Sequence, residues 1–254
     1  MNSSSEPHIT DALLLAGDTP LYSKSGPRAI TLQAGKESRL VFLTEPASLA
    51  VEQYKMMRRR LCAQHPRGGI LLITSPSPGE GKTLTSINLS WCLAEGGHET
   101  CLVDFDFRSP GVSAALGCSF EDNCVEDVLT GKRTIMQSMR QLGDRPLYVL
   151  GIRERLNSPA QLLASSHMSP LINDLRAMFQ WVILDLPPAI PMADVAEVLP
   201  HVDGALMVVR SGKTDRAMVA PPLEILGSKL WGVVLNDSPV NGSSYYGYYG
   251  DRKK

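Results

Sequence analysis

Residues 69–83 of this 254-residue chain read GILLITSPSPGEGKT, and this stretch constrains the fold more than any other. An apolar run ends at Ile73 and a helical pattern begins at Lys82, so the turn between them joins a strand to a helix. Glycines at 79 and 81 allow backbone N–H groups to turn toward an anion, and the helix start adds further unpaired N–H groups. The stretch therefore predicts a phosphate-binding loop.

The loop also carries side chains suited to a nucleoside triphosphate. Lys82 would reach the β- and γ-phosphates, and the Thr83 hydroxyl would hold Mg²⁺. Pro76 stands where the usual pattern G-x-x-x-x-G-K-[ST] has its first glycine, so support from the rest of the chain is needed. The predicted nucleotide-binding residues of the loop are Gly79, Glu80, Gly81, Lys82, Thr83 and Leu84.

Composition and charge exclude several functional classes. A formal net charge of −1 gives no general basic field, so no nucleic-acid partner is predicted. The apolar runs are far shorter than the roughly 20 residues of a membrane-spanning helix. Met1–Thr10 lacks the apolar core of a signal peptide. Five irregularly spaced cysteines form neither a disulfide framework nor a zinc pattern, and they indicate a reducing cytoplasm.

Apolar runs alternate with helical patterns from residue 69 onward. Because most of these runs are continuous, the strands are expected to be covered on both faces. The order predicts one α/β domain with a doubly wound, mostly parallel sheet that binds ligands beyond the carboxyl ends of its strands. The predicted strands are 70–74, 101–105, 147–151, 181–186, 204–209 and 231–235, and the predicted helices are 83–95, 122–130, 160–179, 192–199 and 215–227.

Flanking segments complete the predicted organisation. Residues 1–44 are predicted to form a flexible arm, 45–237 the domain, and 238–254 a tyrosine-rich tail. Within the domain, 47–62 has the apolar stripe of an amphipathic helix. Two interpretations of its charged side are open, a solvated face and a docking face for a neighbouring subunit.

Three aspartates follow apolar runs where the phosphate-binding loop needs metal-binding partners. Asp104 and Asp106 lie in LVDFDFR, and Asp185 lies in VILDLPP. Mg²⁺ keeps several waters, so one or two carboxylates suffice to bind it. A single aspartate in this position is commonly a turn or capping residue. Three of them, downstream of a phosphate-binding loop, favour a metal site.

The motifs SPSPGEGKT, LVDFDFRSP and VILDLPP, followed by a C-terminal tyrosine cluster, resemble the bacterial tyrosine kinases of exopolysaccharide and capsule synthesis. The resemblance covers about residues 45–250 and includes NSPAQLL at 157–163 and GVVLN at 232–236. It implies a P-loop NTPase fold related to the MinD/ParA-type ATPases. Those relatives usually carry a signature lysine where this chain has Ser77, so the kinase branch is favoured.

The resemblance implies roles for matching residues. Lys82 and Thr83 correspond to the Walker A lysine and magnesium-binding hydroxyl, and Asp185 to the Walker B aspartate. Asp104 corresponds to the family's proposed catalytic base, and Asp106 to an aspartate that helps to hold magnesium. The predicted catalytic residues are thus Lys82, Asp104 and Asp106, and the predicted metal ligands are Thr83, Asp106 and Asp185.

Further matches extend the predicted site. Asn236 ends a strand where these folds commonly contact adenine, and Arg108 is predicted to bind nucleotide phosphate, with a salt bridge that fixes the loop as an equal alternative. The helix sequence EQYKMMR resembles the family's E-x-x-R-x-x-R oligomerisation motif. It implies contacts between the subunits of a homo-oligomer, with a ring as one arrangement, through Glu52, Lys55 and Arg58.

The tyrosine tail supplies candidate phosphoacceptors. Clustered tyrosines in a Gly-rich terminus fit no core-forming pattern, and the alternative to phosphoacceptors is an adhesive or disordered tail. The resemblance implies autophosphorylation with ATP and Mg²⁺, a membrane polysaccharide co-polymerase as activator, a cognate tyrosine phosphatase, and attachment through a partner to the inner face of the membrane. The predicted acceptors are Tyr245, Tyr246, Tyr248 and Tyr249.

Two alternatives to an autokinase stay open. One is an ATPase switch of the MinD/ParA kind, which hydrolyses ATP to change the state of a membrane partner without phosphorylating tyrosine; Ser77 and the tyrosine tail argue against it. The other is a nucleotide-binding scaffold with little turnover, against which the three strand-end aspartates argue.

Overall fold

The structure is a computed structural model that describes residues 27–30, 40–120, 124–191 and 193–239. Its centre is an eight-stranded sheet in the order β1-β4-β5-β3-β6-β2-β7-β8, in which only the β4–β5 pair of the described strands is antiparallel. The strands are β1 (Arg28–Ile30), β2 (Gly69–Thr74), β3 (Thr100–Asp104), β4 (Arg140–Leu142), β5 (Leu147–Leu150), β6 (Trp181–Asp185), β7 (Gly204–Arg210) and β8 (Leu230–Asn236). The predicted doubly wound, mostly parallel α/β fold is confirmed.

Helices cover both faces of the sheet. They are α1 (Val41–Thr44), α2 (Leu49–Gln64), α3 (Lys82–Glu95), α4 (Val112–Leu116), α5 (Val125–Leu129), α6 (Ile135–Ser138), α7 (Ala160–Leu163), α8 (Met168–Met178), α9 (Asp194–Val198) and α10 (Ala220–Leu226). Short 3₁₀ turns follow at Leu199–His201, Arg216–Met218 and Gly227–Lys229. Among the described residues, no helix combines the length and apolar character that crossing a membrane requires.

The core has two halves, one on each side of the sheet. In β2, Ile70 and Leu72 belong to the half under α5, α8 and α9, whereas Leu71 and Ile73 belong to the half under α2 and α3. All four side chains are at most 1% exposed. Alternate residues of a strand point to opposite faces, so burial of both sets explains the continuous apolar run in the sequence.

Several boundaries differ from the sequence prediction. The predicted helix 160–179 is two helices, α7 and α8, separated at 164–167. Strands β1 and β4 were not predicted, because three residues are too few to display a period. The division at residue 44 stays a prediction, although β1 and α1 of the predicted arm join the fold and Leu40 and Phe42 are buried.

Candidate active site

The loop between β2 and α3 has the backbone of a phosphate cradle. Gly79 and Gly81 have φ of 80° and 94°, a region that favours glycine, and Gly81 directly precedes α3. A Cβ on Gly81 would lie 2.2 Å from the Asn236 side-chain nitrogen. Both the backbone conformation and the close approach of β8 therefore require glycine at 81.

Lys82 is held at the first turn of α3 by a buried ion pair. Its Nζ lies 2.6 Å from Oδ2 of Asp106, and the two side chains are only 11% and 2% exposed. Burial alone lowers the pKa of Lys82, but the nearby carboxylates of Asp185, Asp106 and Asp104 more than compensate and raise it. The ammonium is therefore a fixed positive charge at the phosphate cradle.

Thr83 and Asp185 meet at the carboxyl end of β6. The Thr83 hydroxyl donates to Oδ2 of Asp185 at 2.7 Å, and the Ser86 hydroxyl donates to Oδ1 at 2.9 Å. Ser86 was not predicted; its position one helical turn after Lys82, on the same helix face, was the available signal. These contacts place a hydroxyl and a carboxylate oxygen side by side, as a Mg²⁺ site requires.

Asp104 lies beside Asp185, since the two are register partners in adjacent parallel strands. Its carboxylate accepts hydrogen bonds from the backbone N–H groups of Asp106 at 3.0 Å and Val112 at 3.2 Å. Burial, and then the charge of Asp185, raise the pKa of Asp104 well above its ordinary value; burial also raises the pKa of Asp185. Buried like charges of this kind are stabilised by a cation.

These donors fit a hydrated Mg²⁺ ion. Thr83, Asp106 and Asp185 offer hydroxyl and carboxylate oxygens within one cluster that also contains Lys82. In the part of the chain that the structure describes, no three acidic, histidine or cysteine side chains converge into a complete metal cage. Mg²⁺ does not need such a cage, because it keeps several waters when it binds proteins.

Two predicted nucleotide contacts instead hold the loop to neighbouring strands. The Asn236 side chain donates to the backbone oxygen of Glu80 at 2.9 Å. The Glu80 carboxylate accepts from the Arg210 backbone N–H and from the Thr214 hydroxyl. Direct contact of Glu80 or Asn236 with a nucleotide stays a prediction, while their contacts with the protein fix the position of the cradle. Leu84 is partly exposed.

A cleft of about 410 Å³ adjoins the cradle. Its position next to the phosphate-binding loop suits the base or sugar of a nucleotide. The lining residues are Ser77, Pro78, Gly79, Glu80, Arg210, Lys213, Thr214, Asp215 and Met218.

Arg108 forms a bidentate salt bridge with Asp194, a residue that was not predicted as part of the site. Arg108 Nε and Nη2 donate to the Asp194 carboxylate at 2.7 and 3.0 Å. This contact matches the predicted alternative, a salt bridge that fixes the loop after β3, and a phosphate contact stays a prediction. Asp194 is distant in sequence and lies on a helix, so no motif indicated it.

The predicted oligomerisation residues differ in their surroundings. Glu52 and Lys55 form an ion pair of 2.9 Å on the outside of α2, with side chains 63% and 41% exposed. Arg58 instead donates to the Cys92 backbone oxygen at 2.7 Å, within the same chain. A contact between subunits stays a prediction. The acceptors Tyr245, Tyr246, Tyr248 and Tyr249 lie outside the described residues.

Comparison with individual known proteins, rather than with family models, identifies the relatives of this chain. No family model matches the chain. The chain is 35% identical over 224 residues to the tyrosine-protein kinase YwqD of Bacillus subtilis, covering 85% of this chain and 93% of that protein. It is 29% identical over 199 residues to the tyrosine-protein kinase CpsD of Streptococcus pneumoniae, covering 77% and 88%.

Solved structures agree with these relatives. The chimerical protein CapA2B2 superposes with a TM-score of 0.74 at 25% identity, covering 85% of this chain and 96% of that one. The kinase domain of the Escherichia coli tyrosine kinase ETK gives 0.73 at 26% identity, covering 80% and 82%. The septum site-determining protein MinD of Pyrococcus horikoshii shares the fold, with a TM-score of 0.55 at 22% identity, covering 65% of this chain and 69% of that one. The chain therefore belongs to the bacterial tyrosine-protein kinases.

Proposed function

We propose that this tyrosine kinase transfers the γ-phosphoryl group of ATP to the tyrosines of its own C-terminal tail. One observation carries the proposal. Lys82, Asp104, Asp106 and Asp185 converge with Thr83 at the carboxyl ends of β2, β3 and β6, where an α/β sheet binds its ligands. A site with this charge arrangement suits phosphoryl transfer, which depends mainly on positioning and electrostatic stabilisation.

The nucleotide and metal follow from the same residues. Lys82 and the backbone of the Gly79–Gly81 turn would bind the phosphates, and Thr83, Asp106 and Asp185 would hold Mg²⁺ directly or through water. When bound, Mg²⁺ neutralises charge on the phosphates. MinD of Pyrococcus horikoshii, which shares the fold, was crystallised with Mg-ADP, and this supports the proposal.

Asp104 is the proposed general base. A tyrosine hydroxyl is only about 0.1% ionised at pH 7, since its pKa is near 10, so the attacking oxygen must lose its proton during transfer. Burial raises the pKa of Asp104, which makes this carboxylate a stronger proton acceptor than an exposed aspartate. Asp104 takes the proton, the tyrosine oxygen bonds to the γ-phosphorus, and ADP leaves.

The tail has sufficient length to reach a site. Nine residues separate Asn236, at the end of β8, from Tyr245, and they span at most ~30 Å when extended. The acceptor can therefore come from the same chain or from a neighbour in a homo-oligomer. Each added phosphate brings about −1.5 to −2 charges, so we propose that phosphorylation expels the tail and loosens the assembly.

The biological setting is proposed from the relatives' names. These include the succinoglycan biosynthesis transport protein ExoP, of which this chain covers 29%, and the chimera CapA2B2. We propose that the kinase regulates polymerisation and export of a capsule or exopolysaccharide. It would act at the inner face of the membrane through a co-polymerase that activates it, and a tyrosine phosphatase would reverse the modification.

Radiolabelled ATP with Mg²⁺ tests the proposal. Label should enter the tail of the wild type and be lost in Lys82→Met and in a variant with phenylalanine at all four tail tyrosines. Lys132→Met, which removes an exposed lysine, is the matched control and should label normally. Release of phosphate without protein labelling would contradict the proposal and favour the ATPase-switch alternative.

A further inference from the structure

A Cys–His–Gln cluster lies near the amino ends of β3 and β6, whereas the candidate active site lies at their carboxyl ends. Cys62 Sγ is 3.5 Å from His98 Nε2, and His98 Nδ1 is 2.8 Å from Gln180 Oε1. His98 lies two residues before β3 and Gln180 directly precedes β6, whereas Asp104 and Asp185 end those strands. Strands of this length separate the two sites by about 15 Å.

The hydrogen bonds fix which atoms carry protons. The Gln180 amide nitrogen donates to the Pro66 backbone oxygen at 3.4 Å, and that oxygen can only accept. Gln180 Oε1 therefore faces His98 and accepts the proton of Nδ1. His98 Nε2 is then unprotonated in the neutral ring, so its lone pair faces the thiol of Cys62.

The cluster is held by backbone contacts as well as by its side chains. The His98 N–H donates to the Leu93 backbone oxygen at 3.2 Å, which ties the residue to the end of α3. The Gln180 N–H donates to the Glu99 backbone oxygen at 3.0 Å. The imidazole is thus positioned between a thiol and an amide oxygen, an arrangement that elsewhere activates cysteine nucleophiles.

Cys62 differs from the other thiols of the chain. Like Cys118, it is half-buried, but among the described residues Cys62 is the cysteine whose thiol contacts an imidazole, that of His98. Burial raises the pKa of Cys62, and the positive charge of Arg58, one helical turn earlier, offsets only part of this increase. Burial raises the pKa of Cys92 and Cys118 to about 11 and that of Cys124 to about 12.

We propose that Cys62 is a modification site that reacts with hydroperoxides, with His98 as general base and Gln180 as the residue that orients it. The thiol proton passes to His98 Nε2 while the sulfur attacks a peroxide oxygen. The O–O bond breaks and an S–O bond forms, so sulfur is oxidised to sulfenic acid. The departing oxygen takes the proton from His98 and leaves as water when the oxidant is hydrogen peroxide.

Oxidation of Cys62 would affect the contact between α2 and α3. Cys62 lies one helical turn after Arg58, whose guanidinium ties α2 to the Cys92 backbone oxygen at 2.7 Å. Oxidation adds a polar oxygen beside that contact. The modification therefore acts on the packing of α2 against α3, away from the phosphate cradle.

Trapping of sulfenic acid measures the reactivity of each thiol in the full-length protein. The chain is exposed to limiting hydrogen peroxide at pH 7 with a cyclic 1,3-dione probe, and labelling of every cysteine is followed by mass spectrometry. Cys62 should be labelled at least about tenfold faster than Cys118, the other half-buried thiol, because general-base assistance contributes a factor of this size or more. Equal rates at the two cysteines in the wild type would overturn the proposal.

Variants separate base catalysis from simple exposure. His98→Gln should slow labelling of Cys62 to the rate of Cys118, while His167→Gln, at an exposed histidine, should leave it unchanged. A thiolate reacts without a base, and burial raises the pKa of Cys62, so the wild-type and His98→Gln rates should converge as the pH rises toward the pKa of the thiol. An unchanged rate and pH profile in His98→Gln, with the fold intact by circular dichroism, would also overturn the proposal.

Discussion

The buried pair of Lys82 and Asp106 provides a test of how the site affects stability. Lys82→Met keeps the length of the side chain and removes its charge, leaving a carboxylate that is only 2% exposed without its ion partner. Breaking a buried pair in this way costs about 3–5 kcal/mol. The unpaired carboxylate can instead take up a proton, and protonating an ordinary aspartate at pH 7 requires about 4 kcal/mol. The destabilisation therefore cannot greatly exceed this value.

The reverse change should cost less. Asp106→Asn leaves the Lys82 ammonium near Asp185 and Asp104, which also raise its pKa and so still stabilise its charge. The double variant removes both charges, so its loss should be smaller than the sum of the single losses by about 1–3 kcal/mol.

Urea denaturation without nucleotide or Mg²⁺ measures these differences. In a domain of this size, a loss of about 3–4 kcal/mol in Lys82→Met corresponds to a fall in Tm of roughly 6–16 °C, at 2–4 °C for each kcal/mol. Lys132→Met is the control for removal of an exposed lysine and should stay within about 0.5 kcal/mol of the wild type. Strict additivity in the double variant would refute the assignment of a buried, coupled pair.

Three further predictions concern the cradle, the carboxylates and α2. Gly81→Ala should reduce nucleotide affinity in a calorimetric titration, because its Cβ would lie 2.2 Å from the Asn236 side chain at a φ of 94°; unchanged affinity would contradict the close contact. Since burial raises the pKa of Asp104 in the folded state, its protonated form favours folding, and with EDTA present the free energy of unfolding should fall as pH rises from about 4 toward that raised pKa. Asp104→Asn should reduce this slope in urea titrations, and an identical slope would argue against a buried, uncompensated carboxylate. Reversing the exposed pair as Glu52→Lys with Lys55→Glu should lower the assembly mass in light scattering if this side of α2 contacts a neighbour, whereas the wild-type mass would favour a solvated face.

The pattern of apolar runs was sufficient to predict most of the sheet. Strands β2, β3, β6 and β7 are almost entirely buried on both faces, so each leaves a clear apolar run in the sequence. The shorter β5 and the edge strand β8, which is partly exposed, also have mostly apolar sequences. Strands β1 and β4 have three residues each and were missed, since their pairing with each other and with β5 depends on the rest of the sheet. The break between α7 and α8 was missed because both segments have helical patterns.

The site was predictable where chemistry follows a strand. Asp104 and Asp185 end apolar runs, and parallel strands bring their carboxyl ends to one edge of the sheet. Ser86, Asp194 and Thr214 contact the predicted residues from helices and loops, where polar residues are common. The helical spacing from Lys82 was a signal for Ser86, but no local pattern distinguishes Asp194 or Thr214.

The sequence alone thus determined the phosphate-binding loop, the parallel sheet and the aspartates at its strand ends, because each depends on residues that are near one another in the chain. Only the tertiary structure decided that Lys82 pairs with Asp106, that Asn236 holds the loop, and that Cys62 faces His98. These contacts join residues 24 to 156 positions apart. Which side chains meet over such separations depends on strand order and register, which the local sequence does not encode.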